Sequence, residues 1–247
     1  MDGSATSRRG HSGDRGVLRH RDRCPGGHSR VWVVPSRPAN LSVVTNEPVS
    51  ASALRRSAAV AGHRGQTDTA RALTTHTDES VRATAYGALA RLGNLTNGDL
   101  TSIRADRSAE VRRRSGEWVI QQKMPAELAR PHLMALMADP DASCVETACW
   151  AIGELTPTSS QSTAALIDAT KHTDPLVREA AVAALGAVGD QAGLAAILRC
   201  TTDKPAIRRR AILALAPFAG DDVDAALRRA TEDRDWQVRQ AAEDLLA

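Results

Sequence analysis

Aromatic side chains are scarce in this sequence: four Trp, one Tyr and one Phe in 247 residues. A core must therefore be assembled from Ala, Leu, Val and Ile, which suits closely packed helices better than strands. Cysteine is scarce as well. Cys24, Cys144, Cys149 and Cys200 show no CxxC spacing. A chain this long does not need disulfide staples, so reduced thiols in a cytoplasm are expected. Cys144 and Cys149 are five apart, on different faces of a helix, which argues against a shared metal. No run of about 18 apolar residues occurs, which excludes an ordinary transmembrane helix. Arg8-Arg9 is not followed by the continuous apolar stretch that an export signal requires.

Charge is also nearly balanced, with a formal net charge of +3, and its location says more than its sum. Residues 1–45 carry eight arginines against Asp2, Asp14 and Asp22, a net +5, so the remainder is −2. Residues 1–45 are rich in Arg, Gly, Ser, His and Pro without a helical period and read as a disordered basic tail. An alternative is that translation starts further in, near the shift in composition at residue 46. The intact mass of the native protein decides between the two.

What the sequence has in abundance is repetition. Aligned on the apolar residue before a frequent Arg, similar segments recur at Val81, Val111, Val145, Val177, Ile207 and Val238, with a weaker copy at Leu54. Successive gaps are 30, 34, 32, 30 and 31 residues. In each copy apolar residues fall at the anchor and about 4, 7, 8 and 11 residues on, as in Val177, Ala181, Ala184, Leu185 and Val188. That is one helical stripe. Asp78, Asp141, Asp174, Asp203 and Asp235 stand where N-caps belong, Pro175 and Pro205 suit the first turn, and Gly93, Gly189 and Gly220 suit left-handed ends. Shorter amphipathic segments such as STAALIDATKH lie between, so each repeat is a helix pair. Such a pair cannot cover its own apolar faces and must stack on its neighbours.

The pattern D-x-x-V-R-x-x-A-x-x-A-L-x-x-x-G, read from Asp174 to Gly189, resembles HEAT repeats, specifically the short bacterial repeats similar to those of phycobilisome lyases. The resemblance covers about residues 48–247. It implies an all-α fold: a right-handed α-solenoid of HEAT-like hairpins, an armadillo-type superhelix, over residues 46–247. It leaves several functions open, because HEAT-like proteins include interaction scaffolds, phycobilin lyases, a di-iron hydroxylase and, in a related superhelix, DNA glycosylases.

The di-iron branch uses His-Glu dipeptides as ligands, and this sequence has none. His63, His76, His132 and His172 read as elements of helix ends and turns, as in His76-Thr77-Asp78 and His172-Thr173-Asp174. A glycosylase cleft would draw on Tyr86, Trp118, Trp150, Trp236 and Glu154, but the repeat region is slightly acidic and poor in aromatics. Arg82, Arg112, Arg178, Arg208 and Arg239 follow their anchors and are expected to pair with Asp residues as an internal ladder, which Glu146 interrupts. Arg113 and Arg209 exceed what a ladder uses and are expected to contact an acidic partner.

Opposite the apolar stripe a helical wheel places positions plus 2, plus 5 and plus 9. At plus 5 stand Tyr86, Gly116, Trp150, Val182, Ile212 and Glu243, apolar for an exposed row. The expected function is a non-catalytic scaffold in the cytoplasm, with no cofactor. A protein partner, rather than nucleic acid or a membrane, would lie in the concave groove on Tyr86, Trp150, Val182 and Ile212, steered by Arg113 and Arg209. The alternatives are a HEAT-repeat enzyme or accessory related to phycobilin lyases or to a di-iron oxidoreductase (hydroxylase), or a weak nucleic-acid binder, for which residues 1–45 are the strongest feature.

Overall fold

The computed structural model describes residues 49–247, so the expectations for residues 1–45 lie outside the described part. Among the described residues the secondary structure is helical throughout. In order the helices are α1 (Ala51–Arg64), α2 (Thr67–Leu73), α3 (Glu79–Arg91), α4 (Asn97–Arg104), α5 (Ala109–Gln121), α6 (Ala126–Leu136), α7 (Ala142–Glu154), α8 (Ser160–Ala169), α9 (Pro175–Val188), α10 (Leu194–Cys200), α11 (Pro205–Ala214), α12 (Asp221–Ala230) and α13 (Trp236–Leu246). A 3-10 turn, Gln191–Gly193, leads into α10. Helix α1 is followed by six hairpins, each a shorter even-numbered helix and then a motif-bearing odd-numbered one. No described helix is long and apolar enough to cross a membrane.

The odd-numbered helices start where their caps dictate. Carboxylates of Asp78, Asp141, Asp174 and Asp235 accept backbone N–H groups of the first turn, and Pro175 and Pro205 open α9 and α11, where a missing N–H costs nothing. Lys204, not Asp203, stands at the start of α11. Gly189 ends α9 at φ 64°, a left-handed turn that a side chain would strain, whereas Gly220 precedes α12 instead of ending a helix.

Counting from the N-cap corrects the register of one repeat. The anchor lies three residues after the cap at Val81, Val111, Val177, Ile207 and Val238, and by the same count it is Cys144 in α7 and Ala53 in α1. Cys144 is fully buried, like the other anchors from Val81 onward. Val145 and Leu54, taken as anchors in the sequence, therefore occupy the position that holds Arg elsewhere, and Glu146 is one place beyond it.

Successive odd-numbered helices pack against one another along the whole array, whereas among the even-numbered ones only α4 and α6 make more than marginal contact. Small residues permit this. A Cβ on Gly153 would lie 3.0 Å from the Ala184 Cα, and one on Gly186 2.7 Å from the Ala214 Cα, so backbone meets backbone there. An array with one layer spaced more closely than the other must bend with the closer layer inside. The odd-numbered helices thus form the inner face of an α-solenoid.

Candidate functional site

Two structural systems occupy the odd-numbered helices, and separating them isolates the site. The first ties loop to loop. Arg82 donates through Nε and Nη2 to Asp106, both at 2.7 Å, and through Nη1 to the carbonyls of His76 and Thr77, at 2.9 Å. The guanidinium thus joins the α2–α3 loop to the α4–α5 loop. The same fork recurs as Arg112 to Asp139, Arg178 to Asp203 and Arg208 to Asp233. Each partner lies 24 to 27 residues along, in the loop of the next hairpin. Arg239 holds the carbonyls of Asp233 and Arg234.

These are largely buried, bidentate, charge-assisted pairs. Burial alone would raise the Asp106 and Asp139 carboxyls, but hydrogen bonds from Arg82 and Arg112 bring both below the usual carboxylate range. For Asp203 and Asp233 the bonds from Arg178 and Arg208 are themselves the dominant cause of the lowering. The expected ladder is present, although its partners are the loop aspartates and not the N-caps.

It is missing in two places. Where Leu54 and Val145 replace the arginine, the receiving loops carry His76 and His172 in place of the aspartate. Each imidazole keeps the carboxylate's second task. Asp106, Asp139 and Asp233 accept the N–H two residues on, and the Nδ1 atoms of His76 and His172 accept the N–H of Asp78 and Asp174 at 3.0 Å.

The second system is the apolar seam. Tyr86, Val182 and Ile212, expected to line an open groove, are 5%, 0% and 1% exposed. From α3 to α11 the plus 5 row is core: each of these inner helices is flanked by a helix on either side and backed by the even-numbered layer, so its buried arc is roughly 160° wide at 100° per residue, whereas Glu243 on the terminal α13 is exposed. Tyr86 lies against Trp118, ring centroids 6.0 Å apart, and the Arg114 guanidinium sits 5.5 Å from the Trp118 ring centre. With α7 in its corrected register the plus 5 residue is Cys149, also buried, and Trp150 moves to plus 6.

Positions plus 2 and plus 6 face outward on the inner layer. The plus 2 row reads Arg113, Glu146, Glu179, Arg209 from α5 to α11, and the plus 6 row reads Glu117, Trp150, Ala183, Leu213. Between α5 and α11 these rows line a groove of about 760 Å³, with Trp150 and Leu176 exposed on its surface and Ala180, Ala183 and Ala187 forming its smooth side on α9. A smaller depression, of about 100 Å³, continues past Glu179 and Arg210 to Arg209, Leu213 and Gln237.

Of the six residues expected to bind a partner, the structure brings Trp150 and Arg113 into the main groove and Arg209 into its extension. Arg113 is not available to acidic groups, because Glu110 and Glu117 both accept from it, at 3.0 and 2.8 Å. Arg210 faces Glu179 at 3.6 Å. Glu146 and Glu154 make no ion pair among the described residues. Leu176, Leu213 and Glu146 were not identified as groove residues by sequence reasoning. Counting from each N-cap would have put Leu213 and Trp150 in one row.

Titratable groups elsewhere are structural. His132, expected near a helix end, lies inside α6 and is fully buried, with Nε2 2.7 Å from Ser115 Oγ and Nδ1 3.4 Å from Arg104 Nη1. A guanidinium only donates, so Nδ1 accepts and Nε2 donates to Ser115, whose hydroxyl donates to the Arg112 carbonyl. Burial, reinforced by the charge of Arg104, pushes the imidazole down to about 4. The buried free thiols of Cys144 and Cys149 are pushed up to about 12 by desolvation, far from a reactive thiolate. Among the described residues no three His, Cys, Asp or Glu side chains gather as a metal site would require.

A profile of HEAT repeats matches residues 130–216 and again 163–247. The matched repeats are HEAT repeats. Hairpins of the same construction continue the array back through α2. A designed armadillo repeat protein superposes with a TM-score of 0.51 at 15% identity, over 73% of this chain and 98% of its own length. Two engineered proteins solved by a structural genomics consortium give 0.54 at 15% identity, over 73% and 96%, and 0.52 at 18%, over 78% and 62%. At such identities the likeness speaks for the α-solenoid alone. A search of curated proteins returns no match.

Proposed function

We propose that this HEAT array is a non-catalytic scaffold that holds a segment of a partner protein along the groove between α5 and α11. One observation carries the reading: Trp150 stands 43% exposed in the middle of the inner layer, where Trp118 and Tyr86 are buried, and the other exposed aromatic among the described residues, Trp236, opens the last helix, α13. Keeping a large aromatic ring in water forfeits about 2 kcal/mol of burial, which an interface recovers. Leu176 and Leu213, also exposed, extend the apolar track on α9 and α11. The buried, strongly protonated thiols suit a cytoplasmic protein that has no use for disulfides.

The test is photo-crosslinking in the native cell from a reactive amino acid at Ala183, compared with one at Leu128 on the even-numbered layer. Adducts concentrated at Ala183 and lost with Trp150→Ala plus Leu213→Asp are expected. Equal labelling from both layers, or labelling unaffected by the two substitutions, overturns the proposal. Ile212→Asp is unsuitable as a probe, because Ile212 is core and the variant would report on folding.

A further inference from the structure

In the main groove, short of the extension that holds Arg209, the charges are not balanced, and the surplus has one sign. Arg113 is occupied by Glu110 and Glu117, and Arg210 faces Glu179, so each basic side chain of the main groove already has a carboxylate. What remains are Glu146 and Glu154, both on α7 and both spaced four residues from Trp150. Residues four apart on a helix are neighbours about 6 Å apart, so the two carboxylates flank the exposed indole along one face. Beside them in the groove α9 presents Ala180, Ala183 and Ala187, which offer no cation to either.

We propose that the segment held in the groove is basic and extended, with an arginine or lysine seated over the Trp150 ring between Glu146 and Glu154. The inference rests on the scaffold reading and deepens it by fixing the partner's chemistry. A cation over an indole face is attracted by the ring quadrupole, and two flanking carboxylates add charge complementarity from both sides. The chain makes the same contact internally, with Arg114 over Trp118, but the Trp118 ring is buried and already taken. A phosphate or an acidic peptide would meet the surplus carboxylates and be repelled. The three interhelix steps from α5 to α11 cover about 27 Å at 9 Å each, the span of roughly eight extended residues.

The test uses the full chain and a fluorescein-labelled octa-arginine peptide, with octaglutamate and a Gly-Ser octapeptide as comparisons, followed by fluorescence anisotropy. Glu146→Gln plus Glu154→Gln should weaken octa-arginine binding on the order of tenfold, and Trp150→Leu severalfold, while Glu232→Gln, far from the groove, leaves it unchanged. Glu146 and Glu154 support no ion pair, so circular dichroism of the variants should match that of the parent. Binding unaffected by the double Gln variant, or octaglutamate binding as tightly as octa-arginine, overturns the proposal. If crosslinking in the cell depends on Trp150 but not on Glu146 and Glu154, the scaffold stands and the basic segment falls.

Discussion

The α4–α5 loop and the α8–α9 loop hold equivalent places in the array, yet the first receives a guanidinium from the preceding repeat and the second does not. Asp106 takes the Arg82 fork, whereas His172 faces a repeat with Val145 in the arginine's position. Helix packing is close in both places: α7 meets α9 with Gly153 against Ala184, and α3 meets α5 with Gly87 against Trp118. The ladder is therefore not what brings the inner helices together. The apolar seam does that, and each rung fixes the loops at one end of the hairpins. A repeat can lose both partners of its rung together, arginine to an apolar residue and aspartate to histidine, without leaving a buried charge unpaired.

The comparison breaks most severely when only one partner is removed. Asp106→Ala strands the Arg82 guanidinium, which is 7% exposed, and should cost about 3–5 kcal/mol, seen as a lower urea midpoint at unchanged slope. His172→Ala, at the equivalent place, removes only an acceptor for the Asp174 N–H and should cost about 1 kcal/mol. Equal losses from the two substitutions would mean that the rung contributes nothing beyond its turn.

Acid sharpens the contrast between the α5–α6 contact and the rungs. The folded pKa of His132, about 4, lies below its ordinary 6.5, so the unfolded chain takes up the proton first. Stability from this group is complete above about pH 6.5 and is lost as pH falls towards 4, close to 2 kcal/mol between pH 7.5 and 5. The rung carboxylates have lowered pKa values, so their contribution persists above 3.8 and is lost only below it. Urea titrations of the parent and His132→Gln should diverge between pH 6.5 and 5. Hydrogen exchange should show α5 and α6 opening before α9 and α11. A pH-independent difference between the two proteins would assign His132 a packing role alone.

The hairpin count was legible because caps and apolar stripe agree: Asp174, Pro175, Val177 and Gly189 each state where α9 begins, faces and ends. The ladder was legible as well, since bidentate geometry requires one carboxylate per recurring arginine. The groove was less so, for two physical reasons. Val145-Glu146 mimics the Val-Arg dipeptide that marks the other repeats, although helix register is set by the Asp141 cap, and a slip of one residue rotates every assignment by 100°. The width of the buried arc depends on how many neighbours a helix has. Tyr86, Val182 and Ile212 look like a second stripe on an isolated wheel, and only the flanking helices make them core. Of the expected site, Trp150 stayed exposed because its true position is plus 6.

Installing the missing rung is the finest test of the comparison, because it asks whether position plus 1 of α7 is structurally the same as in α3. Val145→Arg alone places a guanidinium at a position only 4% exposed, where no aspartate waits, and it should destabilise the fold. His172→Asp alone places a carboxylate with no fork above it. Together they should recover about 1 kcal/mol relative to the sum of the single changes, read as the coupling in a double-mutant cycle of urea unfolding. Position plus 1 points to the loops and not to the groove, so binding of octa-arginine should be the same before and after the rung is built. A coupling of zero would mean that the α8–α9 loop lies out of reach of an arginine at 145, and that the histidine there reflects different loop geometry and not the loss of its partner.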